Sequence, residues 1–233
     1  MTATHLTSPE AIGITLWLVD LSLPSSDPGD PDQVALLSAT ERAKAGRFHF
    51  ERDARRYRAS HTALRQLLAQ VTGQPARVLS FVEGPFGKPR LRGEGQPHFN
   101  MSHSGDWALI GLCADAPIGV DIEVPREMSD LESLAQRNFS PAEFLALCAV
   151  DPDQRLEAFL RCWTRKEACL KALGSGLSIE PGVFEAGIET EPRFTAIDVQ
   201  GQACAMAVHS LALPFPGQAA CARLADANHH LAM

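Results

Sequence analysis

The residues best placed to do chemistry fall in two short motifs, Val120-Asp121-Ile122-Glu123 and Trp163-Thr164-Arg165-Lys166-Glu167-Ala168-Cys169-Leu170-Lys171. The run from Pro117 to Val124 reads as a strand. Side chains alternate faces along a strand, so Asp121 and Glu123 share one face while Val120, Ile122 and Val124 take the other. Apolar periodicity in the second motif marks a helix, with Trp163, Glu167 and Lys171 recurring at helical spacing on one stripe. If that stripe faces the strand, three carboxylates and one ammonium meet. Hard oxygen donors beside a cation suit a divalent ion and a phosphorylated substrate. Each motif also has a plainer reading. The acidic pair could be solvated edge charges, although its apolar flanks point to an interior strand, where unpaired carboxylates are costly without a cation. Glu167 and Lys171 could form a helix-surface pair worth about 0.2–0.5 kcal/mol, but Trp163 on the same stripe is ill suited to water. Lys166 reads as solvent-facing.

Other segments are weaker. Asn100-Met-Ser-His-Ser-Gly-Asp106 lies between two strand-like runs, and small hydroxyl residues around a histidine suit either an anion-binding loop or a simple turn. A Ser/His nucleophile is disfavoured there, because nucleophile and base usually come from separate elements. Phe86-Gly-Lys-Pro89 is a turn with lysine at its apex, open between a tight strand connection and a contact to phosphate. Arginines 47, 55, 56 and 58 cluster near Glu51 and Asp53. Gly174-Ser-Gly176 follows a helix instead of opening one, so it is no phosphate-cradling loop. His229-His230 carries no readable signal.

The elements that must position these residues follow from periodicity and punctuation. Residues 12–21 alternate as a strand, and a Pro/Ser/Asp/Gly loop follows at 24–31. Ser38-Ala-Thr-Glu41 is a capping box opening a helix to about Phe48, and a second helix covers Arg52 to Val71. Strands are expected at 78–82, 88–91, 97–101 and 107–113. Beyond the Asp121 strand, Ser140-Pro141-Ala142-Glu143 is a second capping box, starting a short helix to about Cys148. A long helix over 153–173 stops at Gly174, and strands near 183–188, 193–199, 203–210 and 219–224 complete the chain. Both halves run strand, capping box, short helix, long helix, strands, which suggests an internal duplication with a joint near Ala114–Pro117.

The chain has 233 residues, 45% of them hydrophobic and 21% charged, as in an ordinary globular protein with ample core. A net charge of −7 argues against bulk nucleic-acid binding, which needs a broad basic field. The apolar stretch Ile12–Val19 is too short to span a bilayer, and no basic leader precedes it. The six cysteines form no CxxC pair or zinc-type spacing, so buried free thiols in a reducing cytoplasm are expected.

Taken in order, Phe86-Gly-Lys-Pro89, Phe99-Asn-Met-Ser-His-Ser104, Gly119-Val-Asp-Ile-Glu123, Phe139-Ser140, Trp163-x-x-Lys-Glu-Ala168, Lys171 and Gly174-x-Gly-Leu177 resemble the 4′-phosphopantetheinyl transferases, in particular the larger, two-lobed kind that activates surfactin-type synthetases. The resemblance implies an α/β (α+β) monomer of two pseudo-symmetric lobes, residues 1–115 and 116–233, each a small antiparallel sheet packed on a long helix, with coenzyme A in the cleft between them. It implies transfer of the phosphopantetheine arm to a serine of an apo acyl or peptidyl carrier protein, with release of adenosine 3′,5′-bisphosphate. Mapped onto this chain, Asp121, Glu123 and Glu167 would hold Mg²⁺, and Glu167 would also take the serine proton. Lys171 would neutralise the diphosphate, Ser102 and His103 would bind phosphate, and Lys88 and Pro89 would touch the nucleotide. Lys44 would read the 3′-phosphate. Two positions depart from the family pattern: Glu41 stands where some members carry a base, and Tyr57 where a small hydroxyl residue is usual. Arg47 or Arg56 would then supply the missing charge, and Arg126 and Arg137 would steer an acidic carrier.

Overall fold

A computed structural model of the chain describes residues 3–7, 12–22 and 34–225. In chain order its elements are β1 (Ala3–Leu6), β2 (Ile14–Asp20), α1 (Ala39–Ala45), α2 (Glu51–Thr72), β3 (Phe81–Glu83), β4 (Pro89–Leu91), β5 (His98–Ser104), β6 (Trp107–Cys113), β7 (Ile118–Glu123), α3 (Leu131–Asn138), α4 (Pro141–Ala149), α5 (Pro152–Leu173), β8 (Arg193–Val199), β9 (Gln202–Leu211) and β10 (Gln218–Leu224). One antiparallel sheet has the order β1-β2-β6-β5 and a second has β7-β10-β9-β8, with β3 and β4 as a separate hairpin. In both sheets an opening strand pairs with the last strand of its half, which pairs with the strand before it: β2-β6-β5 and β7-β10-β9.

Alternation along the strands sorts the core into layers. Ile14, Leu16, Leu18 and Leu109 of the first sheet meet Ile118, Val120, Ile122 and Cys221 of the second. The sheets approach so closely that a Cβ on Gly111 would lie 2.8 Å from Val120 Cγ1. The outer face of the first sheet, through Val19, Ile110 and Leu112, takes Ala59, Ala63, Leu67 and Leu68 of α2. That of the second, through Met206, Val208 and Ala220, takes Ala168, Cys169 and Ala172 of α5. The result is helix, sheet, sheet, helix, a mixed α/β fold of small antiparallel sheets on long helices.

Both capping boxes form as read. Ser38 Oγ accepts from Glu41 N and Glu41 Oε2 accepts from Ser38 N, and Ser140 and Glu143 repeat the exchange. Differences from the sequence reading have physical causes. The first helix stops at Ala45, short of Phe48. Residues 76–78 form a 3₁₀ turn and the strand starts at Phe81. β5 runs on to Ser104, because the hydroxyls of Ser102 and Ser104 find carboxylate partners across the fold. α3 was not expected; its Asp130 makes no side-chain cap that the sequence could advertise. β1 is a short edge strand, also not expected. Where a strand was expected at 183–188, a 3₁₀ turn spans Pro181–Val183, and the following backbone is held by side chains of α4 and α5. The 24–31 loop and His229-His230 lie outside the described residues.

Those side chains correct one expectation. Lys166, read as solvent-facing, is 1% exposed. Its Nζ lies 2.7 Å from Glu143 Oε2 and donates to the carbonyls of Pro181 at 2.8 Å and Phe184 at 2.5 Å. Glu143 Oε1 in turn accepts from the N–H groups of Ala186 and Gly187. Arg165, equally buried, donates to the carbonyls of Ala186, Glu189 and Glu191. A segment without regular structure thus has its backbone groups satisfied by charged side chains.

Candidate active site

The site begins with β7. One face carries Ile118, Val120 and Ile122 into the core between the sheets. The other carries Gly119, Asp121 and Glu123. Gly119 lets the strand lie directly on α5: a Cβ there would sit 2.0 Å from the carbonyl oxygen of Ala168 and 2.4 Å from the nitrogen of Ala172. That contact places Asp121 against the last turn of α5, where Lys171 projects. Lys171 Nζ donates to Asp121 Oδ1 at 2.5 Å and to Ser102 Oγ at 3.1 Å, and Ser102 Oγ donates to Asp121 Oδ1 at 2.7 Å. Three elements thus close a triangle of an ammonium, a hydroxyl and a carboxylate.

β5 supplies the other wall. Asn100, Ser102 and Ser104 alternate onto its face towards β7. Asn100 Oδ1 accepts from Val120 N at 2.8 Å, and Ser104 Oγ donates to Glu123 Oε2 at 2.9 Å while accepting from Val124 N. Asp121 is buried, and its Oδ2 is the one buried carboxylate oxygen among the described residues without a hydrogen-bond partner. Burial pushes the Glu167 carboxyl above its ordinary value; Lys171 opposes the shift, and the Asp121 and Glu123 charges add to it. Burial likewise raises Glu123, against the hydrogen bond from Ser104 and with the charge of Asp121. Asp121, Glu123, Glu167 and Lys171 therefore share one electrostatic neighbourhood. Among the described residues no three His, Cys, Asp or Glu side chains are gathered closely enough to form a finished metal cage.

Two cavities flank this cluster. One of about 300 Å³ is lined by Glu167, Lys171 and Lys88, with Phe86, Gly174 and Gly176. The other, about 460 Å³, is lined by Lys44, Tyr57, His61, Arg65 and Met101 among others. Gly87, Pro89 and Asn100 line both, so the cavities adjoin along the β3–β4 turn. In the second, Tyr57 lies between Lys44, whose Nζ is 5.5 Å from the ring centroid, and the His61 ring, stacked at 3.8 Å. Burial pushes the Tyr57 hydroxyl up to about 12 and the His61 imidazole down to about 4. Glu41 is engaged twice, as the partner of Ser38 in the capping box and of Arg65 at 2.8 Å, which offsets its charge in this cavity.

Of the residues singled out from sequence, Asp121, Lys171 and Ser102 touch one another, and Glu123 and Glu167 share their field. Lys88 and Pro89 line the cleft, but the Lys88 ammonium turns inward onto the carbonyls of Ile118 and Ala172. Lys44 lines the outer cavity. His103 is not beside Ser102. Adjacent strand residues face opposite ways, and His103 is exposed on the side from which it influences His61. Arg56 is committed to Asp106 at 2.7 Å. Sequence reading missed Asn100, Ser104 and Gly119 as site residues. The period-two run Asn100, Ser102, Ser104 is the available signal, hidden because the expected strand ends at 101 and the residues after it suit a loop or turn.

Comparison with known proteins agrees with this geometry. Residues 117–223 match a family model described as the 4′-phosphopantetheinyl transferase superfamily, and residues 31–114 match one described as 4′-phosphopantetheinyl transferase, N-terminal. Three proteins whose names include 4′-phosphopantetheinyl transferase are similar to this chain. HetI of Nostoc sp. is 38% identical over 182 residues, 77% of this chain and 76% of that protein. The slr0495 protein of Synechocystis sp. is 38% identical over 165 residues, 70% of this chain and 65% of its own length. Sfp of Bacillus subtilis is 32% identical over 176 residues, 76% of this chain and 77% of that protein. With both halves matched, and with the acidic strand and the Glu167–Lys171 helix brought together as described, the chain belongs to the 4′-phosphopantetheinyl transferase family, among its larger, Sfp-like members.

Proposed function

We propose that this protein transfers the 4′-phosphopantetheine arm of coenzyme A to a serine of an apo acyl or peptidyl carrier protein, releasing adenosine 3′,5′-bisphosphate, in a Mg²⁺-dependent reaction. The observation that carries the reading is the Lys171–Ser102–Asp121 triangle with Asp121 Oδ2 left over. A buried carboxylate oxygen without a donor is costly unless a cation meets it, and the donors around it are oxygens of the kind Mg²⁺ prefers. Asp121, Glu123 and Glu167 would hold the ion. Bound there, it would draw negative charge from the diphosphate.

The residues divide the remaining work. The serine Oγ attacks the phosphorus bearing the pantetheine arm; the new P–O bond forms as the bond to the bridging diphosphate oxygen breaks. Glu167 takes the serine proton. As a carboxylate it can accept that proton directly or through a water. Lys171 neutralises charge that accumulates on the leaving phosphate. Ser102 holds Lys171 and Asp121 in register. The Gly87–Pro89 turn borders the nucleotide, and Lys44, beside Tyr57 in the outer cavity, meets the 3′-phosphate. His103 completes the phosphate contacts from the exposed side. In this reading residues 1–115 and 116–233 act as two lobes closing on one ligand. The protein works as a monomer in the cytoplasm, and Arg126, which influences Glu123, with Arg137 steers the acidic carrier.

The test is intact-mass spectrometry of apo carrier proteins incubated with coenzyme A, Mg²⁺ and the protein. A gain of one phosphopantetheine arm is expected, with none in the presence of excess chelator. Glu167→Ala should slow transfer by about 10²–10⁴-fold, the range of a general base, and Asp121→Ala should abolish it, with thermal melting retained in both. Undiminished transfer by either variant overturns the assigned roles.

A further inference from the structure

Lys88 lies in the turn between β3 and β4, yet its ammonium reaches across the cleft. Nζ donates to the carbonyl oxygen of Ile118 at 2.8 Å and to that of Ala172 at 3.1 Å. Its stem packs on Gly174, where a Cβ would come within 3.0 Å of Lys88 Cδ. Gly174 also has φ +69°, so glycine there serves both the helix cap and the lysine. Burial alone lowers the Lys88 pKa, to about 8. A desolvated ammonium is costly unless acceptors satisfy its N–H groups, and the two carbonyls do so here.

The two carbonyls are informative by position. Ile118 opens β7, the strand of Asp121 and Glu123, and Ala172 follows Lys171 near the end of α5. One side chain from the first half thus ties together the two elements that carry the carboxylates and the ammonium. With two of its three N–H donors on the protein backbone, Lys88 leaves the Gly87 and Pro89 surface to border the ligand.

We propose that Lys88 is a positioning residue, a clasp between the start of β7 and the end of α5 that sets the separation of Asp121 from Glu167 and Lys171. It acts through those two carbonyls and not through the ligand. The proposal rests on the transferase reading above, and its test keeps the two apart. Lys88→Met, Lys88→Gln and Lys88→Arg are compared with the wild-type chain in three measurements: kcat for carrier modification, coenzyme A affinity by calorimetry without metal, and Mn²⁺ affinity by electron paramagnetic resonance. Lys88→Met is expected to lower kcat at least tenfold and to weaken Mn²⁺ binding at least threefold, with coenzyme A affinity changed less than threefold. Lys88→Arg, whose fork can still reach both carbonyls, should recover part of the loss.

Weakened coenzyme A binding with kcat unchanged would overturn the proposal by making Lys88 a ligand contact. A lower melting temperature with kcat and Mn²⁺ affinity unchanged would overturn it too, leaving simple structural support. If Lys88→Met does not fold, Lys88→Gln, which keeps a donor for one carbonyl, is judged on the same split. Should the wild-type chain itself modify no carrier protein, the transferase reading fails and Mn²⁺ affinity alone decides the clasp.

Discussion

At the scale of single residues, the site works because Asp121 is divided between two duties. Oδ1 is saturated by Ser102 and Lys171, while Oδ2 is buried and unpartnered. A carboxylate whose oxygens are so distinguished can hold an ammonium and meet a cation at once. Charge is handled differently at His61, whose Nδ1–H donates to the Tyr57 carbonyl at 2.9 Å while the ring stacks on Tyr57. Burial lowers this imidazole from 6.5 to about 4. Between those values the unfolded chain binds a proton that the folded chain does not, so stability falls as pH falls through that window. His61→Phe keeps the stack and removes the titration. Urea unfolding at pH 7 and pH 4.5 should show the wild type losing more stability than the variant, by a difference on the order of 2 kcal/mol; equal losses would mean that His61 titrates normally.

Among the elements, α5 is the organiser. One stripe of it packs on the second sheet, the Gly119 contact seats β7 on its backbone, and Lys171 and Glu167 emerge from its last turns. Phe159 and Trp163 stack towards Phe139, beside the small helices. Lys166 and Arg165 then fix the segment after Pro181 by its carbonyls. The Trp-x-x-Lys-Glu run therefore mixes two functions at adjacent positions, scaffold at Lys166 and chemistry at Glu167. Lys166→Met would leave the Glu143 carboxylate buried without its cation. A loss of about 3–5 kcal/mol is expected in chemical denaturation, and a loss under 1 kcal/mol would return Lys166 to a surface role.

For the whole molecule, the decisive contact is the seam where the edge strand β5 of one sheet meets the edge strand β7 of the other. No backbone ladder joins them; side chains do, through Asn100 to Val120 N, Ser102 to Asp121 and Ser104 to Glu123. Polar residues at this seam both cover two sheet edges and build the site. Asn100→Ala would leave the buried N–H of Val120 unsatisfied, and a loss of about 1–3 kcal/mol is expected in thermal or urea unfolding; an unchanged melting temperature would show that the seam does not depend on it. Much of this was legible in advance. Alternation placed Asp121 and Glu123 on one face of a strand, two capping boxes marked helix starts, and helical spacing aligned Glu167 with Lys171, because periodicity and caps are local properties of a chain. The sequence points Lys166 to solvent and Lys88 to a phosphate or nucleotide, whereas both ammonium groups turn onto backbone carbonyls, since direction of burial depends on which distant carbonyls are present to receive an ammonium. Likewise the strand expected at 97–101 continues to Ser104 because β7 supplies acceptors for the hydroxyls of Ser102 and Ser104. The sequence by itself determined which groups could do chemistry and on which elements they ride. Only the tertiary structure decided which of them face one another, because that depends on two sheets closing along a seam between residues far apart in the chain.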